Sequence, residues 1–151
     1  MVANRIEAHL TKEDQQAVLD ALAQIRERLP FLLNLTAEER QALPKMGEKS
    51  RAFVDEALDL AQDNPDLAPE NFDLEDMEKD IALYDGLQPI LFAVMQLEDL
   101  VLSSAVAASS DAYSAALEIY ERAKDAGEGD ALEARLSEIE EAAKRSGGTS
   151  A

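Results

Sequence analysis

Glu98 is the residue most open to a chemical reading. At 100° per residue it falls on the apolar side of a run, residues 81–108, that holds no Lys, Arg or His, and it lies within a turn of Leu91, Val94, Met95, Val101 and Leu102. A carboxyl on such a side has its pKa raised unless a cation or a donor meets it, which is how proton-transfer groups are made. Exposure at the edge of the apolar side, or pairing with Arg26, Arg51 or a tyrosine hydroxyl, is expected, because acids taken out of water are usually paired. Tyr84, Tyr113 and Tyr120, with Met95, Met46 and Met77, are candidates to line an apolar pocket in which Glu98 or a tyrosine is the polar handle. Aromatic and methionine side chains at helical spacing also build plain core, so the pocket and the core readings stand side by side.

Other reactive constellations are missing. There is no Cys, which excludes thiol nucleophiles, disulfides and thiolate metal sites. There is no nucleophile elbow, P-loop, dinucleotide fingerprint or zinc-protease pattern. The single histidine, His9, is not preceded by Glu at the Glu-x-x-His spacing of a di-iron bundle. Residues 63–73 are dense in carboxylates, yet Pro65 stands at the third position and no Gly at the sixth of what an EF-hand calcium loop would require. No catalytic residue, metal site or cofactor is therefore assigned, and an enzyme is the less expected class.

Charge narrows the partners. The chain has 32 acidic and 14 basic side chains, a net charge of −18. Residues 1–52 are neutral overall, whereas residues 53–80 carry a net −10. With no basic stripe to release counterions or bind headgroups, nucleic acid and anionic membrane surfaces are not expected partners. The longest unbroken apolar run, 90–95, is far shorter than the roughly 20 residues of a membrane span. The N-terminal residues lack the apolar stretch of a secretory signal, so a cytoplasmic location is expected.

Helical periodicity supplies the elements that must position these groups. Thr11 caps a first helix carrying Val18, Leu22, Ile25 and Leu29 and ending near Pro30. Phe31, Leu32 and Leu35 form an apolar cluster, expected as a plug across one end of the bundle with an exposed docking patch as the alternative, and closed by Thr36 and Glu39 at capping-box spacing, which predicts a short helical turn. Pro44 suits the first position of a second helix with a stripe of Met46, Phe53, Ala57 and Leu60, flanked by Val54 and Ala61, that stops near Asp63. Asp73 caps a third helix whose stripe is Leu83, Leu87, Ile90, Val94, Leu97 and Val101, with Phe92 the apolar misfit on its polar side. Pro89 should kink or split it, and the small residues 103–110 should end it. Ser109 or Ser110 then caps a fourth helix through Tyr113, Leu117 and Tyr120 to Gly127, and Leu132, Leu136, Ile139 and Ala143 mark a shorter last one. The expected fold is all-α, an antiparallel bundle of four principal helices with a short extra helical turn and a shorter C-terminal helix, in one domain over residues 1–146 with a disordered tail at 147–151.

At Leu43-Pro44-Lys45-Met46-Gly47-Glu48-Lys49-Ser50, Asn64-Pro65-Asp66-Leu67 and Ser110-Asp111-Ala112-Tyr113 the chain resembles a family of small uncharacterised bacterial all-helical proteins. The resemblance covers roughly residues 12–126 and implies a bacterial, cytoplasmic helical domain with no known activity. The function expected from the residues is a non-enzymatic bundle acting through protein–protein contact or self-association as a homo-oligomer, with Phe31, Leu32, Leu35 and Phe92 as interaction candidates. The alternative is a bundle that holds a small apolar ligand or cofactor between its helices.

Overall fold

Local signals place the helix ends. In the computed structural model, which describes residues 3–126 and 130–147, Thr11 accepts the Asp14 N–H at 3.0 Å and opens α1, Lys12–Arg28. Thr36 and Glu39 form the reciprocal capping box of α2, Ala37–Ala42. The second long helix, α3, Glu48–Asp63, begins later than Pro44 predicts. The Gly47 N–H donates to Ser50 Oγ at 2.7 Å, so the hydroxyl three residues on fixes the start. A single 3₁₀ turn, Pro65–Leu67, follows. Asp73 accepts the Glu75 N–H at 2.9 Å ahead of α4, Leu74–Ala126. The last helix is α5, Asp130–Gly147.

The described residues are all-α, with no strand, but the expected third and fourth helices are one. α4 runs for 53 residues through Pro89 and through the small-residue stretch. Pro89 removes one backbone donor without ending the helix. Residues 103–110 contain no Gly or Pro; they are Ser, Ala and Val, and Ser104 Oγ satisfies itself on the Leu100 carbonyl at 2.7 Å. Nothing there stops propagation, and the helix continues to Ala126. The expected stop at Gly127 lies outside the described residues, as do residues 148–151 of the expected tail; Gly147 is the last residue of α5.

The chain divides into two compact units, Leu10–Met95 and a second made of Met1–His9 with Gln96–Ala151. In the first unit α3 pairs with the opening turns of α4. Half-buried Val54, Ala57, Leu58 and Ala61 occupy one side of α3, and Leu74, Met77, Ile81 and Tyr84 one side of α4. Ile81 is the only buried apolar residue among those described, at 9% exposure. The predicted α3 stripe is rotated by this pairing, because Phe53 and Leu60 are exposed. The small side chains Ala57 and Ala61 let the two helices approach there, and a Phe would not. In the second unit α5 lies against the end of α4, where Leu132 and Leu136 are half-buried.

The expectation that the chain's own helices wrap residues 81–108 fails. From Ile90 to Val106 every large apolar side chain of α4 is between 39% and 65% exposed. In the first unit the 17-residue α1 faces α4 at Leu87, Ile90, Leu91 and Val94. By length and composition α4 also suffices to cross a membrane, and none of that apolar window is buried.

Candidate functional site

Polar contacts pin α3 and the segment just before it to α4 at three levels. Arg51 meets Asp85 with two parallel donations, Nε to Oδ1 at 3.0 Å and Nη2 to Oδ2 at 2.6 Å, and also pairs with Asp55 one turn on. Gln62 donates to Glu78 near the far end of α3. The Tyr84 hydroxyl donates to the Met46 carbonyl at 3.3 Å. The hydrogen bonds from Asp85 and Asp55 push the Arg51 guanidinium further into its charged form, and the Arg51 hydrogen bonds hold the Asp85 carboxyl below its ordinary 3.8. Both groups are exposed enough that this is a register pin rather than a large source of stability.

A depressed carboxyl stabilises the fold at every pH above its ordinary value, and that contribution disappears as pH falls through the lower value it has in the fold. Melting followed by circular dichroism should therefore show wild-type stability falling as pH drops below 3.8. Asp85→Asn should be the less stable protein at neutral pH and should lose less over the same acid range.

The two grooves that hold candidate tyrosines lie one in each unit. In the first unit Leu22, Ile25 and Leu29 of α1 face Leu87, Leu91 and Val94 of α4 across about 540 Å³ of almost wholly apolar space, with Arg26 at its edge. Tyr84 and Leu32 also line it. In the second unit Tyr113, Leu117 and Tyr120 of α4 face Ile139 and Ala143 of α5 across about 400 Å³. There the Tyr120 hydroxyl donates to Glu140 Oε1 at 2.7 Å, and Lys124 Nζ stands 5.5 Å from the ring centre. The hydrogen bond to the Glu140 carboxylate raises the Tyr120 pKa above its usual 10.0.

The candidate pocket residues are thus divided. Tyr84 belongs to the first groove, Tyr113 and Tyr120 to the second, and Met95 and Glu98 line neither. Glu98 is exposed and has no ion pair among the described residues. Arg51, one of its expected partners, is committed to Asp85 and Asp55. Arg26, the other, has no ion pair among the described residues either. Of the interaction candidates, Phe31, Leu32 and Phe92 are exposed and Leu35 is half-buried. No three His, Asp or Glu side chains among the described residues converge to hold a metal ion.

One contact carries no signal in the sequence. Asp111 Oδ2 accepts the consecutive backbone N–H groups of Arg5 and Ile6, at 2.7 and 3.1 Å, and so fastens the N-terminal segment to α4. The sequence marks Asp111 only as a residue near a helix start, and a partner more than 100 positions away leaves no local trace. Arg5 then stands beside Leu102, Ser103, Val106, Ala107 and Ser110. No family model, curated protein or solved structure matches the chain.

Proposed function

We propose that this protein is a non-enzymatic helical assembly module that associates with a second copy of itself through the apolar sides of α4. The antiparallel bundle expected from the sequence is then completed between chains. The observation that carries this reading is the bare middle of α4: Leu97, Leu100 and Val101 are 52%, 65% and 60% exposed. Water against that much apolar surface costs about 25 cal/mol per Å², and patches of this kind on soluble chains are usually covered by a partner.

A bilayer is the rival cover for α4, and two features oppose it. Glu98 and Asp99 sit in the middle of the apolar stretch, where each acid costs about 2.5–3.5 kcal/mol at the centre of a membrane. After Lys79 the next cation is Arg122, so no cation stands close to the C-terminal end of the stretch to anchor a span there.

The α1–α4 groove favours a second reading, in which an apolar ligand or cofactor lies between those helices with Tyr84 or Arg26 as its polar handle. Native mass spectrometry of freshly purified protein over a concentration series separates the readings. Twice the bare chain mass, growing with concentration, is expected. A bare single chain at every concentration defeats self-association, a single chain with added mass supports the ligand, and recovery only in detergent or with lipid vesicles supports the membrane.

A further inference from the structure

We infer that the α1–α4 groove of each copy is the seat for the bare half of α4 of the other, with Glu98 of one chain paired to Arg26 of its partner copy. The inference rests on the self-association just proposed and specifies its geometry. Three observations converge on it.

The first is helical register. Leu87, Leu91 and Val94 line the groove, and steps of three and four continue that stripe along α4 through Glu98, Val101 and Ala105. One stripe thus has a stretch flanked by α1 and a stretch that stays bare. A parallel second copy would set bare stretch on bare stretch and leave both grooves unfilled. An antiparallel copy related by a two-fold axis near Gln96 sets Val101 opposite Leu91 and Glu98 opposite Val94 in both copies at once, as a self-complementary interface requires.

The second is charge. Glu98 interrupts an otherwise apolar stripe, and Arg26 is the one cation at the rim of an otherwise apolar groove. Neither has an ionic partner among the described residues of its own chain, and Arg51 is already occupied. An incoming helix that is apolar and carries a carboxylate satisfies both the groove and its rim. The third is shape: the groove is open, nearly all apolar and about 540 Å³ in volume, room for the several aliphatic side chains that Leu97, Val101 and their neighbours would bring.

The test is a charge swap read by sedimentation equilibrium, with helical content checked by circular dichroism. Arg26→Glu and Glu98→Arg both replace exposed residues, so both variants should keep the fold of the single chain. Each alone sets like charges face to face twice per dimer, and should weaken self-association by about tenfold or more. Mixing the two variants in equal amounts restores opposite charges at both contacts. The acid introduced at position 26 of one chain meets the guanidinium introduced at position 98 of the other, and the second contact keeps the native Arg26 and Glu98. Association of the mixture should return to within about threefold of wild type.

A wild-type chain that associates while either reversal leaves its dissociation constant unchanged overturns this pairing and spares the broader reading. So does a mixture as weak as its components. A wild-type chain that stays monomeric throughout the series removes the self-association on which the pairing rests, and the pairing with it.

Discussion

Leu97→Asp combined with Val101→Asp should convert the associated protein to monomer at concentrations where wild type is paired. Both side chains project from the bare part of α4, at 52% and 60% exposure, so the fold of the single chain loses little when they become polar. At an interface each would bury an aliphatic group worth about 2 kcal/mol and would now bury an unpaired carboxylate instead. Because each substitution is present in both copies, the loss is about 8 kcal/mol, near a millionfold in dissociation constant. Light scattering across a concentration series, with wild type alongside, reads the result. An unchanged molar mass at every concentration would mean that another surface holds the copies together. The expected control is helical content equal to wild type, because little in the chain itself packs on these residues.

Ile81→Ala should do the opposite: large damage to the stability of the first unit and none directly to the bare face. Ile81 sits where α3 and α4 meet, between the half-buried Met77 and Tyr84 turns, and is the only buried apolar residue among those described. Truncation of a buried Ile to Ala costs about 2–5 kcal/mol through lost transfer energy and the cavity left behind. A core this small has few other contacts to compensate, so the midpoint of urea unfolding should fall well outside experimental scatter. Phe53→Ala on α3 of the same unit is the comparison. At 70% exposure the larger side chain should change stability by no more than about 0.5 kcal/mol. If the two substitutions cost the same, the α3–α4 seam is not where this unit gets its stability.

These two substitutions mark a division that a helical wheel cannot make. Along α4, Ile81 and Val101 are both β-branched aliphatics on helical stripes, and periodicity ranks them alike. What separates them is that α3 packs beside the first, whereas the second is 60% exposed. The α3 stripe shows the same limit on a finer scale. Phe53 and Leu60 dominate the apolar arc by size, yet the arc turned inward is the one with Ala57 and Ala61, because small side chains permit close approach of two helices and the Arg51–Asp85 pair fixes their rotation. Glu98 illustrates it for a polar group. Its position on the apolar side is legible in the sequence, and so is a short list of cations, Arg26 and Arg51, that could meet it. That Arg51 is spent on Asp85 and Asp55 is visible only in three dimensions.

By itself the sequence determined that the chain is helical and where most helices begin or end. The capping residues Thr11, Thr36 and Asp73 and the Asn64-Pro65 stop act through bonds to backbone groups a few positions away, so their effect is written in local order. It also determined which residues are apolar, and therefore that residues 81–108 need a cover. That α4 runs on through residues 103–110 is also local, because Ser, Ala and Val with no Gly or Pro cost too little to stop a helix. Tertiary structure alone decided that only Ile81 is buried among the described apolar residues, that Asp111 holds Arg5 and Ile6, and that Leu97, Leu100 and Val101 stay exposed. The reason is that cover for a hydrophobic face depends on which distant segments return to it, which no short stretch of residues specifies.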